Sequence, residues 1–539
     1  MRKISEYSVK IRLLAMAALV LGAMTFNAKA RTSQWTASTS GTWSDPTNWT
    51  VPSPLDDLLF TGDGMSMAPI TATNDISNNI DYKSITFDTG APTFTLSGSA
   101  IGLFNGIVNN SSVIQTISFA DFDTGKGGVY VKLDQSWLAT TGSLLITSDV
   151  TSYNSDGFTP TIQLTIGGVH NTTISGFINE DNSNGAVVLS ITKNGTGALS
   201  LNGSNSYTGA TTLNAGQLNL NNASAIGSGT LTIYTATTLD NTSGGAITLT
   251  TNNAQIWAGN FTFAGSNDLN LGTGAVTLNL STIQVTVSAG NLTIGGTIDD
   301  ASAGYGITKA GAGTLTLSGS DSYTGATTVN AGTLVVSGSL TATGTTTVAD
   351  GATLQLVGGS LINSAATVTV GAATLNLTGG QSSVGTVVLN DGATFQARIS
   401  STADGSHAIL SSHGGVTLTG AVSLSINSTG YTPVYTLGDL TGSDKFVLIL
   451  GNGTPTTGTF ANLSSVVDTN YGGLTLNEYT DLNGNTWAIF YNVTGTDYTT
   501  AGTGDNIVAY AIPEPSTYAM MLGSFGILIF VQRLRRRSV

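Results

Sequence analysis

Few residues in this chain have the types and spacing that catalysis requires. The 539 residues include three histidines, His170, His407 and His413, and no cysteine. Without cysteine the chain has no thiolate ligand, no disulfide and no thiol nucleophile. His407 and His413 are close in sequence, but no paired carboxylate or ligand-like spacing accompanies them. We therefore predict no catalytic residue, no metal site and no cofactor.

Carboxylates occur as adjacent pairs at Asp56–Asp57, Glu180–Asp181 and Asp299–Asp300. Clustered carboxylate oxygens are the ligands that Ca²⁺ prefers in proteins. No loop of regularly spaced ligands surrounds any of the pairs. Solvated turns are the favoured interpretation, with calcium binding as the alternative.

Aromatic residues at two places could contact a ligand. Trp35, Trp43 and Trp49 lie within fifteen residues, and exposed indoles would suit sugar rings. The favoured alternative is a hydrophobic cap at the open end of a repeating structure. Tyr207 and Tyr323 stand at equal positions of an internal repeat. They could line a ladder of ligand contacts, but stacked aromatic packing between coils is favoured.

The repeat that positions these tyrosines occupies residues 193–220 and 309–336, where eighteen of twenty-eight aligned residues are identical. Apolar residues alternate with Ser or Thr, as at Leu199 and Leu201, and a period of two predicts a half-buried strand. Gly, Ser, Asn and Asp between the two strand-like runs of each copy predict a turn. Internal repetition of this kind predicts a stacked architecture.

A single copy of the repeat should not fold alone. Its few apolar side chains cannot offset the entropic cost of ordering its backbone, so pairing with neighbouring strands is required. The strands should therefore stack into a solenoid. Downstream, Leu354, Leu375 and Phe395 are 21 and 20 residues apart, which indicates roughly one coil for each step.

The motif shared by both copies, G-x-G-x-L-x-L-x-G-x-(N/D)-x-Y-T-G-x-T-T, resembles the autotransporter-associated β-strand repeat. The resemblance implies an all-β right-handed parallel β-helix, which we expect to have an N-terminal cap, a non-repeating C-terminal β region and one C-terminal hydrophobic helix. Asp321 replaces the Asn that is usual in the motif. We expect the turn to be unchanged, because both side chains bond nearby backbone.

The chain divides into five predicted segments. A basic start, an apolar run and Ala28-Lys29-Ala30 predict a signal peptide cleaved after Ala30, with an uncleaved anchor as the alternative. The segments are a signal peptide (1–30), a Trp-rich N-terminal cap (31–75), a β-helix (76–394), a C-terminal β region (395–511) and a sorting tail (512–539).

The tail combines three features in a fixed order. Pro513-Glu514-Pro515 stops regular structure, and the apolar run 518–531 is a short transmembrane segment, which would cover only about 21 Å of a roughly 30 Å hydrocarbon core. Basic residues favour a cytoplasmic end. A simple membrane anchor is the alternative to a sorting signal. The basic residues are Arg533, Arg535, Arg536 and Arg537.

This order of features resembles the PEP-CTERM sorting signal. The resemblance implies recognition by an exosortase, a membrane transpeptidase-like protease, with processing near the Pro-Glu-Pro triplet. It also implies transient anchoring in the inner membrane and delivery to the cell surface or extracellular matrix of a Gram-negative bacterium. A self-secreting autotransporter is not expected, because such proteins end in a membrane barrel of many amphipathic strands.

Charge excludes one class of partner. Between residues 31 and 512 the chain has eight Lys and Arg against twenty-nine Asp and Glu, so nucleic acid is not an expected partner. We predict an exported, non-enzymatic structural or adhesive protein that contacts polysaccharide or neighbouring cells. The alternative is a polysaccharide-binding or polysaccharide-degrading β-helix. Convergence of Arg398, Lys445 and several Asp in one groove would favour the degrading enzyme.

Overall fold

A computed structural model describes residues 31–49, 52–62, 68–76, 80–121, 127–154, 161–341, 344–400, 407–429, 431, 445–451, 453–468, 474–493 and 506–512. These residues form strands and turns with a single short 3-10 helix at Asn182–Asn184, so the all-β prediction is confirmed. Within these ranges the structure contains no helix with the length and apolar character needed to cross a membrane. The predicted signal peptide and the tail from Pro513 onward lie outside the described residues.

The chain forms two compact units that divide between Leu189 and Ser190. The strands of the first unit are β1 (Thr32–Trp35), β2 (Gly41–Thr42), β3 (Asp57–Phe60), β4 (Ile70–Asn74), β5 (Ile80–Phe87), β6 (Phe94–Gly98), β7 (Ile101–Asn109), β8 (Gln115–Phe119), β9 (Val129–Val131), β10 (Gln135–Ala139), β11 (Leu144–Ile146), β12 (Val150–Tyr153), β13 (Thr161–Gly168), β14 (Thr172–Ile174) and β15 (Ile178–Asp181).

The first unit is a parallel β-solenoid with three faces. One face is β1-β3-β5-β7-β10-β13, the second is β2-β4-β6-β8-β11-β14, and the third is β9-β12-β15. Successive strands on a face pair in parallel and in register, so Trp137 lies between Ile107 and Ile166. All three side chains are buried. The period of two in the sequence thus becomes a column of apolar side chains inside the coil.

The second unit contains the remaining strands. They are β16 (Val188–Lys193), β17 (Ala198–Leu201), β18 (Thr211–Leu213), β19 (Gly216–Leu220), β20 (Leu231–Ile233), β21 (Thr237–Asp240), β22 (Ile247–Thr248), β23 (Gln255–Trp257), β24 (Phe261–Phe263), β25 (Leu269–Asn270), β26 (Val276–Leu278), β27 (Thr282–Val287), β28 (Asn291–Ile294), β29 (Ile298–Asp299), β30 (Gly306–Ala310), β31 (Thr314–Leu317), β32 (Ser320–Asp321), β33 (Thr327–Val329), β34 (Thr333–Val336), β35 (Ser339–Leu340), β36 (Thr346–Val348), β37 (Thr353–Val357), β38 (Leu361–Ile362), β39 (Thr367–Val370), β40 (Thr374–Thr378), β41 (Gln381–Val384), β42 (Thr386–Leu389), β43 (Thr394–Arg398), β44 (Ile409–Ser412), β45 (Val416–Leu418), β46 (Ser423–Asn427), β47 (Lys445–Gly451), β48 (Ser464–Asp468), β49 (Leu474–Thr480), β50 (Thr486–Val493) and β51 (Asn506–Ile512).

The second unit is also a parallel β-solenoid, and most of its coils place one strand on each of three faces. Leu354 pairs with Leu375, and Leu375 pairs with Phe395, as the spacing of 20 to 21 residues predicts. These side chains belong to a column of fully or almost fully buried residues. The column contains Leu292, Leu315, Leu334, Leu354, Leu375, Phe395 and Leu424.

Within each copy of the sequence repeat, a strand from the second half pairs with a strand from the first half. Leu199 pairs with Leu218, nineteen residues later in the same copy, and Leu315 pairs with Leu334 in the same way. The turn that returns the chain contains Gly216, whose φ is +72° and whose Cβ, if present, would lie 2.5 Å from the carbonyl oxygen of Gly195. Only glycine fits such a position.

The C-terminal strands change the pairing pattern. Parallel pairing continues beyond residue 395 to β46, which pairs with β43, and to β47, which pairs with β44. Antiparallel pairing then joins β47 to β51. The side chain of Asn462 accepts a hydrogen bond from the Leu424 amide and donates one to the Leu424 carbonyl, both 2.8 Å long. β46 is the last strand of its face. Asn462 therefore satisfies backbone groups that an edge strand would otherwise expose.

Candidate binding surface

The three N-terminal tryptophans are buried, with at most 1% exposure. The ring centroids of Trp35 and Trp43 lie 5.4 and 5.0 Å from that of Trp49, in edge-to-face geometry. Trp49 also packs 5.6 Å from Phe60 on β3. These rings fill the interior of the first coils. They do not present the exposed faces that sugar stacking requires.

The acidic pairs are engaged by protein donors. Asp56 accepts hydrogen bonds from Ser33 Oγ and the Ser53 amide, and Asp57 forms an ion pair of 3.0 Å with Lys83. Glu180 accepts from the Leu189 amide. In the described ranges, no group of three His, Cys, Asp or Glu side chains could hold a metal ion.

The third acidic pair follows the same pattern. Asp300 Oδ2 accepts from the Tyr305 amide and from Thr324 Oγ1, and Asp299 Oδ2 accepts from Ser322 Oγ. Burial raises the pKa of Asp300, but these hydrogen bonds outweigh it and hold the pKa below its usual value. The carboxylates act as turn-forming acceptors.

The histidines do not form a common site. His170 and His413 are exposed, whereas His407 is buried and its ring packs edge-to-face 5.2 Å from Phe446. His407 and His413 flank opposite ends of β44, which places them roughly 20 Å apart along the strand. Separation on this scale does not allow joint metal binding.

Two buried lysines were not recognised as special from the sequence. Lys193 Nζ donates to the carbonyl oxygens of Asn194, Gly195 and Ala215 at 2.8, 2.8 and 3.2 Å. Its side chain points inward because it continues the buried alternation of Leu189 and Ile191. Burial lowers its pKa to about 8. Through these hydrogen bonds the ammonium group links β16 to the turn that follows it and to the turn before β19.

Lys309 occupies the equivalent place in the second copy. Its Nζ donates to the carbonyl oxygens of Ala310, Gly311 and Ala331 at 2.9, 2.8 and 3.0 Å. Burial again lowers the pKa to about 8. The same three-carbonyl contact in both copies makes this lysine a structural part of the repeat. The signal available in the sequence was that this lysine falls on the inward-facing positions of the alternating strand pattern.

The repeated tyrosines are buried, but the predicted stacking of aromatic rings is wrong. Tyr207 and Tyr323 have no aromatic neighbour in the described part of the chain. Each hydroxyl is instead 2.6 Å from a threonine Oγ1 four residues later, that of Thr211 or Thr327. A buried tyrosine hydroxyl needs a hydrogen-bond partner, and the Thr-Thr pair of the motif supplies it locally.

Outward-facing threonines form a ladder on one face of the second unit. Parallel register places Thr314, Thr333, Thr353, Thr374 and Thr394 in one row, which we call the threonine ladder. Neighbouring strands are about 4.8 Å apart, so the hydroxyls repeat at that spacing. They form no hydrogen bond with another described residue.

The row beside the ladder is also uncharged. It contains Thr316, Val335, Gln355, Asn376 and Gln396. Arg398 lies two residues after Gln396 on β43 and is exposed. A strongly acidic chain therefore presents an uncharged surface over five consecutive strands, made of hydroxyl and amide groups and one valine. Such a surface suits neutral, hydroxyl-rich partners.

Comparison with known families places the repeat. Residues 191–220, 307–336 and 331–356 match the model of the passenger-associated-transport repeat. These three stretches are similar to that repeat. The first two matches coincide with the copies recognised in the sequence. The third overlaps the end of the second copy and was missed, because it lacks the Tyr-Thr-Gly segment and only its strand and turn pattern remains.

Other comparisons gave one structural match. No curated protein matches the chain. The crystal structure of the Haemophilus influenzae Hap adhesin aligns with 87% of this chain at 11% identity and a TM-score of 0.26. The alignment spans 66% of the adhesin chain, just under two thirds of its length.

Proposed function

We propose that the chain is an exported, non-enzymatic protein of the cell surface or extracellular matrix, with a structural and adhesive role. The passenger-associated-transport repeats support export. The threonine ladder is the single observation that most supports adhesion, because it displays in a regular row five hydroxyls that bond to no other residue in the described ranges. The partners are extracellular polysaccharide or neighbouring cells.

Adhesion would arise from many weak contacts. Each hydroxyl or amide can exchange a hydrogen bond with water for one with a sugar hydroxyl, a gain of about 1 kcal/mol at most. Contacts repeated along a rigid solenoid add through effective concentration. A surface without charge also avoids the desolvation cost that a charged row would impose on a neutral partner.

Delivery is proposed to depend on the C-terminal tail, which lies outside the described residues. An exosortase would recognise Pro513-Glu514-Pro515 together with the apolar segment 518–531 and the terminal arginines. The chain would be held transiently in the inner membrane before processing. Export would begin with the signal peptide and its cleavage after Ala30. We further propose that the coils are right-handed and that the Trp-rich segment 31–75 caps the first of them.

The degrading alternative lacks a supporting observation. It requires a general base and cations beside clustered carboxylates. The acidic pairs of the described residues are instead bonded to protein donors. The binding half of that alternative is compatible with the proposed adhesive role.

Delivery can be tested by surface biotinylation of intact cells. Deleting residues 513–539 should abolish surface labelling and cause intracellular or periplasmic retention, since β51 ends at Ile512 and the folded unit is left intact. Replacing Pro513, Glu514 and Pro515 by alanine should have the same effect. Arg398→Ala, on the body of the solenoid, is the control. Unchanged surface labelling of both tail variants would contradict the sorting proposal.

A further inference from the structure

The first unit contains a shallow groove that none of the sequence motifs predicts. Its volume is about 470 Å³, and it lies on the outward side of β7, β10 and β13. Clefts of this size accommodate small ligands or segments of a polymer. Its principal lining residues are Asn105, Val108, Asp134, Ser136, Leu138 and Gln163.

Two glycines pair with residues that line this groove. Gly106 pairs with Ser136, and Gly167 pairs with Leu138, so two positions on the outer side of the sheet have no side chain. Gly106 has a φ of +112°, and a Cβ there would lie 2.0 Å from the carbonyl oxygen of Ser136. A larger residue therefore cannot replace Gly106 without moving the backbone.

The floor combines an apolar strip with a polar row. Val108 and Leu138 are partners on neighbouring strands, and both are only half-buried. Ser136 and Thr165 are partners in the adjoining row. Neither hydroxyl forms a hydrogen bond with another described residue. A ligand in the groove would thus meet apolar surface on one side and free hydroxyls on the other.

The ends of the groove supply further polar groups. Asn105 is exposed, and its amide forms no hydrogen bond with another described residue. Asp134 accepts the Gln163 amide at 2.8 Å through Oδ1, and that bond fixes the orientation of its carboxylate at the rim. The described residues that line the groove include no lysine or arginine. The lining therefore does not favour phosphate, sulfate or uronic acid ligands.

We propose that this groove binds a short segment of a neutral polysaccharide. A sugar ring has an apolar C–H face and a periphery of hydroxyl groups, and the strip of Val108 and Leu138 beside the Ser136 row matches that division. The Asn105 side chain can donate hydrogen bonds to ring hydroxyls or accept them, and the Asp134 carboxylate can accept them. This inference rests on the proposed adhesive function and assigns its partner class to one site.

The test is binding of defined oligosaccharides to the purified full chain, measured by titration calorimetry and saturation-transfer NMR. The probes are neutral cello-, xylo- and manno-oligosaccharides, with oligogalacturonate as the anionic comparison. Ser136→Met fills the groove without adding charge. Ser118→Met, at an outward position of β8 away from the groove, is the matched control. Asn105→Ala removes one polar contact.

We expect at least one neutral oligosaccharide to bind saturably, with Kd raised at least tenfold by Ser136→Met, about threefold by Asn105→Ala and not at all by Ser118→Met. Absence of neutral-glycan binding, preference for oligogalacturonate, or an unchanged Kd in Ser136→Met would overturn the inference. If the groove variants bind normally while cells still adhere, the groove assignment fails and the adhesive function stands. If the groove binds glycan but the chain never reaches the surface, the proposed function fails instead.

Discussion

Asp321 in the second repeat stands where Asn205 stands in the first, and the two side chains differ in their hydrogen bonding. Asn205 donates to the carbonyl oxygen of Ala225 at 2.6 Å. Asp321 accepts the Ile298 amide through Oδ1 at 2.9 Å, but its buried Oδ2 has no hydrogen-bond partner among the described residues. Burial raises the pKa of Asp321 to about 7. Above neutral pH, Asp at this position should therefore stabilise the fold less than Asn would.

The first prediction concerns the pH dependence of stability. The pKa of the Asp321 carboxyl is near 3.8 in the unfolded chain and about 7 in the folded chain. Between these two pH values the folded chain holds one more proton than the unfolded chain. As the pH rises across this window, the free energy of unfolding should fall by about 1.4 kcal/mol per pH unit. Asp321→Asn should remove this slope and stabilise the chain by about 2 to 4 kcal/mol at pH 8, with little effect at pH 4.

Denaturant unfolding at a series of pH values measures this effect. Asp350→Asn, at an exposed turn of the same unit, is the control and should leave the slope in place. Equal stability of wild type and Asp321→Asn at pH 8 would show that the buried carboxyl is compensated in some other way.

The second prediction concerns the lysines that bind three carbonyls. Replacing Lys193 or Lys309 by Met leaves those carbonyls without donors, which should destabilise the second unit by about 2 kcal/mol for each change. Lys83→Met removes a partly exposed ion pair and should cost less than about 1 kcal/mol. Thermal unfolding of the three variants at pH 7 compares these costs.

Lys193 and Lys309 should change the stability of the chain with pH in the direction opposite to that of Asp321. Their pKa is about 8 in the folded chain and 10.5 in the reference state. Between those values the unfolded chain holds more protons, so stability should rise with pH. The rise should shrink in each single Met variant. A wild-type stability that is flat from pH 8 to 10 would contradict the lowered pKa.

The third prediction tests the tyrosine hydroxyls. Tyr323→Phe removes the bond to Thr327 Oγ1 and leaves the ring in place, so the expected loss is about 1 to 2 kcal/mol. Tyr207→Phe should behave alike because its environment is equivalent. Tyr234 is 44% exposed, and Tyr234→Phe should be neutral. Chemical denaturation separates these outcomes, and a loss that is the same at all three sites would argue against a specific hydroxyl bond.

The fourth prediction concerns the end of the solenoid. Asn462→Ala removes both hydrogen bonds to Leu424 and exposes backbone groups of the last strand of that face. Hydrogen exchange of the Leu424 amide should accelerate at least tenfold, and self-association should increase because free strand edges pair with each other. Exchange mass spectrometry and light scattering measure the two effects. Unchanged exchange would mean that other contacts protect this edge.

The sequence predicted the coils because stacking depends on short-range pattern. Alternating apolar residues and steps of 20 to 21 residues, as from Leu354 to Leu375, specify buried columns and their register. The contact of Lys309 with Ala331 and that of Asp321 with Ile298 were not predictable, because each partner lies on a neighbouring coil. The groove beside Ser136 combines residues of three strands, β7, β10 and β13. Pattern alone does not reveal which positions become adjacent across a sheet.

Adherence of cells that display the whole chain tests the central claim most directly. The threonine ladder is altered by replacing Thr314, Thr333, Thr353, Thr374 and Thr394 with Val, which keeps shape and strand preference but removes the hydroxyls. Adherence to a polysaccharide-coated surface should fall severalfold, with surface amount and unfolding temperature unchanged or slightly raised. Adherence equal to that of the wild type at equal surface amount would contradict the account.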